Sequence, residues 1–217
     1  SVQWLAFSPD GELLVSGSQD TTVRVWRWRT GEEMWRSTPG SDGEMVAKVD
    51  YSPDGRLIAA ADVLGYVRLF SAETGALALT SSRNAGRMGS VAFSPVGNVL
   101  AIGGPLPAVL DSDKGNVLET LEGNAQAATN VTFSRNGRRL AAITADHTAR
   151  VWELATGRLR HPPLIHPELV SRALFSPDGR TLATLGSDLR ARVWSVKTGE
   201  LLRVLQGHSG PLTNLRF

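Results

Sequence analysis

The chain has 217 residues, of which 41% are hydrophobic and 20% are charged, a composition typical of a globular protein with a buried core. Its 23 basic and 21 acidic side chains leave a formal charge of +2, which is too small to indicate a nucleic-acid partner. The absence of cysteine excludes disulfides and thiolate metal sites. No apolar run reaches the roughly 18 residues of a membrane-spanning helix, and no basic and apolar leader is found. We therefore expect no membrane partner and, by default, a cytoplasmic location.

One pentapeptide recurs along the chain. The sequence Phe-Ser-Pro-Asp-Gly at residues 7–11 returns, with small changes, at 51–55, 93–97, 133–137 and 175–179. Its aromatic residues are 44, 42, 40 and 42 positions apart, and Phe217 stands where a sixth copy would begin. A period of this length indicates a repeat architecture, in which each unit buries its apolar faces against its neighbours.

Each repeat unit has the pattern of four short strands joined by turns. In the first unit an apolar run over 2–7 precedes the turn residues Ser-Pro-Asp-Gly, and a second run follows over 13–17. The β-branched and aromatic residues 23–26 predict a third strand, and the break at 30–31 precedes a weaker fourth strand at 33–36. No segment has the 3.6-residue periodicity of a long helix, so the pattern predicts an all-β fold.

The third unit departs from this pattern. The segment 103–107, Gly-Gly-Pro-Leu-Pro, replaces its second turn, and Leu110 stands at the position of the strand-ending aromatic residue. Because proline cannot donate a hydrogen bond to a sheet, we expect a short or distorted third strand in this unit, or a local insertion site for a partner.

Taken together, these features resemble the WD-repeat β-propellers. The resemblance rests on the Phe-Ser-Pro-Asp-Gly turn, an Asp six residues before a strand-ending Trp (Asp20 and Trp26), a following Thr-Gly turn, and Gly207-His208 nine residues before Phe217. It implies a β-propeller of four-stranded antiparallel blades, with the first strand of each blade innermost around a central channel.

Five complete blades are visible in the sequence. Their approximate boundaries are 1–41, 42–84, 85–124, 125–166 and 167–208, and residues 209–217 are interpreted as an extra innermost strand. The blades either close a five-blade ring or form an arc of a larger ring of about seven blades, the commonest number in the family that the chain resembles. In the arc, additional blades would come from the parent protein or from another chain.

The resemblance also implies a buried hydrogen-bond chain in each blade, formed by a His before the innermost strand, a Ser or Thr of the second strand, the turn Asp and the Trp. The residues at these positions are Ser18, Asp20, Trp26, Thr144, Asp146, Trp152, His166, Asp188, Trp194 and His208. Gly186 occupies the hydroxyl position of the fifth unit, and Leu64 and Phe70 occupy the Asp and Trp positions of the second. We therefore expect no complete set within one unit, while in a closed ring His208 would complete the set of the first.

A Ser, a His and an Asp in one neighbourhood invite comparison with a hydrolase triad, in which a hydroxyl nucleophile needs a base and an orienting acid. A hydroxyl that lies two residues from its Asp and packs under a Trp lacks an open cleft, so we predict a structural role and no catalytic residues. His161 and His166 flank a loop with no shared helical face, and we expect no metal and no cofactor.

Two further observations depend on the repeat. Arginines stand two residues before the strand-ending aromatic residue, where the stem can pack on a neighbouring blade while the guanidinium reaches a carbonyl or carboxylate; they are Arg24, Arg68, Arg150 and Arg192. Trp4 has no aromatic counterpart, since the equivalent residues are Lys48, Ser90, Asn130, Arg172 and Asn214. We interpret Trp4 either as an interface anchor or as a residue that packs against a neighbour outside this sequence.

The resemblance places partner-binding residues on one rim of the propeller. In this chain they are Gln3, Gln19, Met45, Val63, Arg87, Thr129, Leu169, Ser171 and Ser187. This rim is nearly uncharged, so we expect a protein or peptide partner rather than nucleic acid, and a non-catalytic protein-protein interaction scaffold as the function. The alternatives are a sensor or regulatory domain of a larger signalling protein and a propeller hydrolase.

Overall fold

The computed structural model describes residues 1–37, 45–80, 90–105, 107–121, 123, 127–212 and 215–216, and the regular structure of these residues consists of strands alone. The strands are β1 (Val2–Phe7), β2 (Leu13–Ser18), β3 (Val23–Arg27), β4 (Glu32–Arg36), β5 (Val46–Tyr51), β6 (Leu57–Asp62), β7 (Val67–Ser71), β8 (Leu77–Thr80), β9 (Val91–Phe93), β10 (Val99–Ile102), β11 (Ala108–Asp111), β12 (Val117–Thr120), β13 (Ala128–Phe133), β14 (Arg139–Thr144), β15 (Thr148–Glu153), β16 (Arg158–Leu159), β17 (Leu164–Ile165), β18 (Val170–Phe175), β19 (Thr181–Gly186), β20 (Ala191–Ser195) and β21 (Leu201–Leu205).

These strands form five sheets, one for each repeat unit, and each sheet is an antiparallel meander in chain order. Blade 1 contains β1–β4, blade 2 contains β5–β8, blade 3 contains β9–β12, blade 4 contains β13–β17 and blade 5 contains β18–β21. In blade 4 the short strand β17 pairs with β15, off the meander. The first strands of successive blades lie beside one another. The predicted β-propeller of four-stranded antiparallel blades is therefore confirmed.

The recurring pentapeptide forms the turn between the first two strands of a blade. In blade 1 the Ser8 hydroxyl accepts a hydrogen bond from the Leu13 amide at 2.9 Å and donates one to Asp10 Oδ1 at 2.5 Å, while Gly11 adopts a φ of 75°. The Asp10 carboxylate also accepts the Glu12 amide at 3.0 Å, and these bonds, above all that from Ser8, hold the pKa of Asp10 below its usual value. The motif is thus a closed polar turn that only glycine completes without backbone strain.

Four apolar clusters fill the spaces between successive blades, from the pair 1 and 2 to the pair 4 and 5. The cluster between blades 4 and 5, for example, contains Val151, Leu182 and Trp194. No cluster among the described residues joins blade 5 to blade 1. The outward side chains Leu5 and Phe7 of β1 are 54% and 57% exposed, and β21 is exposed along its whole length. The described blades therefore form an arc with two uncovered end faces, and no sheet packing closes them into a five-blade ring.

The third blade has the short third strand that its prolines predict. Strand β11 has four residues, whereas the corresponding strands of the other blades have five or six. The preceding loop is paired with the next blade, because Gly104 and Ala128 exchange two backbone hydrogen bonds of 2.8 Å. A Cβ on Gly103 would lie only 2.8 Å from the Ala128 carbonyl oxygen, which explains the need for glycine there. The position considered as a partner insertion site is thus occupied by blade 4; Leu106 lies outside the described residues.

The extra innermost strand predicted at 209–217 differs from what the structure shows. Residues 209–212 and 215–216 belong to no strand, and His208 is exposed. A strand requires a hydrogen-bonded neighbour, and none of the described strands pairs with this segment. Phe217 lies outside the described residues.

Candidate functional site

In blade 5 a hydrogen-bond chain joins three of the four residue types that the resemblance implies, the His, the hydroxyl residue and the Trp. The Trp194 Nε1 group donates to Thr184 Oγ1 at 2.9 Å, and Thr184 Oγ1 lies 2.8 Å from His166 Nε2. The His166 Nδ1 atom lies 3.0 Å from the Leu164 carbonyl oxygen, an arrangement that a neutral imidazole satisfies by donating from Nδ1 and accepting at Nε2. Burial lowers the pKa of His166 to about 4, which keeps this imidazole neutral at physiological pH.

The hydroxyl of this hydrogen-bond chain lies two residues before the predicted position, at Thr184 rather than Gly186, while Asp188 binds Arg192 instead of the imidazole. Blade 1 shows the same shift: Trp26 Nε1 donates to Ser16 Oγ at 2.9 Å, while the Ser18 hydroxyl donates to the Ser1 carbonyl at 3.2 Å. In the sheet Leu14 is directly opposite Trp26, so Ser16 is the diagonal neighbour that a long indole reaches. Ser18 and Trp26 do not form a pair.

The strand arginines bind aspartates of their own blades, so the prediction that each guanidinium reaches a carboxylate is confirmed. The closest ion-pair distances are 3.1 Å for Arg24 and Asp20, 3.0 Å for Arg68 and Asp62, 2.7 Å for Arg150 and Asp146, and 2.5 Å for Arg192 and Asp188. Hydrogen bonds from the arginine hold the pKa values of Asp146 and Asp188 below the usual value. In blade 2 the carboxylate comes from Asp62, two residues before the predicted position at Leu64.

The remaining residues of the predicted hydrogen-bond sets, Thr144, Trp152 and His208, have different partners and different burial. Thr144 Oγ1 donates to Asp146 at 2.6 Å, and Trp152 is fully buried in the core between blades 3 and 4. His208 is exposed and, within the described part of the chain, makes no hydrogen bond to Ser18, Asp20 or Trp26. The alternative in which His208 completes the set of blade 1 is therefore not realised.

A repeated backbone bond builds the rim at the start of the innermost strands. In four blades the residue before the turn donates its amide to the carbonyl that precedes the first strand: Gln19 to Ser1 at 2.9 Å, Val63 to Met45 at 3.1 Å, Ala145 to Ala127 at 3.1 Å and Ser187 to Leu169 at 2.8 Å. Of the predicted rim residues, Gln3, Gln19, Leu169, Ser171 and Ser187 are exposed, and Met45, Val63 and Thr129 are half-buried. Arg87 lies outside the described residues, and the assignment of this rim to a partner stays a prediction.

Five repeat-equivalent side chains, one from each blade, meet at the centre of the propeller. We call Trp4, Lys48, Ser90, Asn130 and Arg172 the central layer. The Lys48 Nζ atom lies 5.2 Å from the Trp4 ring centroid, and the Arg172 guanidinium carbon lies 4.9 Å from it. Two cations, from blades 2 and 5, thus lie over the Trp4 ring, a cation–π arrangement that contributes to its orientation.

The central layer separates two cavities. The rim cavity, of about 270 Å³, is lined by Ala47, Val63 and Thr129 together with members of the central layer. The corner cavity, of about 600 Å³, lies on the side of the pentapeptide turns and is lined by Pro95, Pro177 and neighbouring residues together with members of the central layer. Either cavity is a candidate binding site, and Trp4, Lys48 and Asn130 of the central layer line both.

The sequence pattern did not predict the central layer as a site, and it left Trp4 either as an interface anchor or as a residue that packs against a neighbour outside this sequence. Its position shows instead that Trp4 packs inside this chain, against the innermost strand of blade 2. The signal was available in the sequence, since the five residues occupy one repeat position on innermost strands that converge. Among the described residues no helix is long and apolar enough to cross a membrane, and no group of three His, Cys, Asp or Glu side chains is arranged to hold a metal ion.

Comparison with known proteins agrees with this architecture. Residues 5–87 match the family model described as the anaphase-promoting complex subunit 4 WD40 domain, and residues 115–153 and 165–195 match the model of the WD domain, G-beta repeat. The chain is a member of the WD-repeat family. This assignment explains why the pentapeptide turn and the strand-ending aromatic residue recur with one period.

Similar WD-repeat proteins extend beyond the matched region. The chain is 29% identical over 158 residues to WD repeat-containing protein SL1-17 of Schistosoma mansoni, and the aligned region covers 71% of this chain and 51% of that protein. It is 27% identical over 165 residues to WD repeat-containing protein VIP3 of Arabidopsis thaliana, and the aligned region covers 69% of this chain and 51% of that protein. The chain therefore spans about half the length of these relatives.

A solved structure shows the same fold. The computationally designed Ika8 protein superposes with a TM-score of 0.86 at 23% identity, covering 100% of this chain and 65% of that chain. At this identity the similarity concerns the fold alone.

Proposed function

We propose that this WD-repeat chain is a non-catalytic interaction scaffold that binds a protein or peptide through the rim at the start of its innermost strands. The observation that supports the proposal best is the repeated backbone bond, because it brings residues of four blades to one rim around the rim cavity. A site built from backbone-anchored loops is rigid before a partner binds, which lowers the entropic cost of association.

The chemistry of this rim favours a partly apolar polypeptide. Leu169 of blade 5 is 53% exposed, and Met45, its repeat equivalent in blade 2, is half-buried, as is Val63, which donates its amide to the Met45 carbonyl. The same predicted rim also includes the exposed amide side chains of Gln3 and Gln19 and the exposed hydroxyls of Ser171 and Ser187, so it offers both hydrophobic contact and hydrogen bonding. Two relatives bear names that describe parts of assemblies, a guanine nucleotide-binding protein subunit beta from Oryza sativa and a cofactor of the APC complex from Arabidopsis thaliana.

A second candidate function is that of a regulatory or sensor domain within a larger protein. Two observations favour it: the chain spans 51% of its relatives, and both end faces of the blade arc are uncovered. Sequencing the gene on both sides of the region that encodes residues 1–217 would test it. Adjacent sequence encoding further repeats and a signalling domain is expected, and stop and start codons directly at these positions would contradict it.

The rim is tested with peptides selected by display on the purified chain. The double variant Met45→Asp and Leu169→Asp should weaken the selected peptide at least about tenfold, since charge at an apolar contact must be desolvated. Val117→Asp is the matched control, because Val117 is 54% exposed on the outer strand β12, away from the rim. Equal loss of affinity in the control, or unchanged affinity in the double variant, would contradict this rim as the binding surface.

A further inference from the structure

The corner cavity concentrates positive charge. Lys48, Arg135, Arg172 and Arg216 line it, and Asp50 is the one carboxylate among its described lining residues. Four basic groups against one acidic group leave a formal excess of three positive charges in this cavity, while the whole chain carries only +2. Charge of one sign in a concave site with low-dielectric walls focuses the potential and attracts an oppositely charged ligand.

The one carboxylate among the described lining residues, Asp50, accepts hydrogen bonds from backbone amides. The Asp50 carboxylate accepts the Phe93 amide at 2.8 Å and its neighbouring Tyr51 amide at 3.1 Å. No described carboxylate oxygen lies within 4.0 Å of the Lys48 ammonium nitrogen, the distance limit for an ion pair. Asp50 is thus committed to joining blades 2 and 3, and it leaves the nearby ammonium without a salt bridge.

Within the described part of the chain, the Lys48 ammonium makes two hydrogen bonds, and both are long. Its Nζ atom lies 3.4 Å from Ser90 Oγ and 3.4 Å from the Val131 carbonyl oxygen, beyond the usual range of 2.7–3.2 Å for such bonds. Buried charges are normally paired, so a half-buried lysine in this position has capacity for a better acceptor. An anionic oxygen in the cavity would provide a charge-assisted hydrogen bond.

The rest of the cavity is suited to a carbon skeleton. Ala92, Phe93, Leu174 and Phe175 contribute an apolar wall, and the Trp4 ring also lines the cavity. The volume of about 600 Å³ falls within the range of about 300–1,000 Å³ that is typical of small-molecule sites.

We propose that the corner cavity binds a small organic anion with at least two negative charges, a di- or tricarboxylate or a phosphate ester. Its charged groups bind Lys48 and Arg172 in the central layer and its carbon skeleton contacts the apolar wall. Arg135 and Arg216 are exposed, and they attract the anion to the cavity. This inference is independent of the rim proposal, because the corner cavity lies on the other side of the central layer.

Calorimetric titration with citrate, a hexose phosphate and inorganic phosphate tests the proposal, with glucose as the uncharged control. Saturable binding of citrate or the hexose phosphate is expected, and the preferred one identifies the source of the anion. Lys48→Gln should lower the affinity at least about tenfold, whereas Lys48→Arg should largely retain it. Lys197→Gln, at an exposed lysine of blade 5, should leave it unchanged.

Amine labelling supplies a readout that does not depend on a variant. The chain has three lysines, Lys48, Lys114 and Lys197, and the last two are exposed. The bound anion should protect Lys48 from acetylation and leave the labelling of Lys114 and Lys197 unchanged. Absence of saturable binding by all three anions, equal protection of all lysines, or unchanged affinity in a folded Lys48→Gln variant would overturn the proposal.

Discussion

Replacing Lys48 by methionine is expected to stabilise the protein at neutral pH. Burial lowers the pKa of the Lys48 ammonium from 10.5 to about 8, so the protonated form is disfavoured in the folded state. A shift of this size corresponds to about 3 kcal/mol of unfolding free energy. Because the ammonium faces a cavity and its two long hydrogen bonds are lost in the variant, we expect a gain of about 1–3 kcal/mol.

The gain should depend on pH in a defined direction. Between the folded pKa of about 8 and the unfolded value of 10.5, the unfolded chain binds the proton and the folded chain does not. The stability of the wild type therefore rises with pH through this window, and the cost of Lys48 is complete below it. The charged groups that face Lys48 are Asp50 on its own strand, which raises the pKa, and Arg172 of blade 5, which lowers it. Both remain in the variant.

Urea unfolding at about pH 7 and about pH 10 measures the effect. The difference between Lys48→Met and the wild type should be largest at the lower pH and several-fold smaller at the higher pH, which lies close to the unfolded pKa. Lys197→Met is the control, since that lysine is exposed and its replacement should change stability by less than about 0.5 kcal/mol at either pH. A difference that is the same at both pH values would refute the reasoning, because it would then reflect packing rather than ionisation.

Three further predictions concern the blades. Thr184→Val removes the hydroxyl between a buried tryptophan and a buried histidine, and it should lower the unfolding free energy by about 2–4 kcal/mol in a urea titration. Ser16→Ala removes the equivalent hydroxyl of blade 1, which is less buried, and it should lower the unfolding free energy by less than half as much. Asp146→Asn leaves the buried Arg150 without a counter-ion and should lower the unfolding free energy by about 3–5 kcal/mol. Asp178→Asn, at an exposed ion pair, should lower it by less than about 1 kcal/mol. Similar losses of stability in the two variants would contradict the role assigned to burial. Gly103→Ala should lower the thermal midpoint through a cost of about 1–3 kcal/mol, since the new Cβ meets a backbone oxygen of blade 4, and an unchanged midpoint would show that the loop can shift.

The strands and turns could be predicted because their determinants are local. The pentapeptide turn depends on hydroxyl, carboxylate and glycine positions within six residues, and strand alternation depends on neighbours two apart. The hydrogen-bond chain was misplaced by two residues for a physical reason. Trp194 binds Thr184 across a diagonal of the sheet, and the register of two strands is needed to tell Thr184 from Gly186.

The sequence by itself determined the repeat, its four-stranded unit and the polar turns, because these depend on the chain within one period. The tertiary structure decided what the blades do together. It brought Trp4, Lys48 and Arg172 from three blades to one centre, although 168 positions separate the first from the last. It also left the outer faces of blades 1 and 5 uncovered. Such properties depend on how far each blade rotates relative to the next, and that rotation is set by packing between blades rather than by any local pattern.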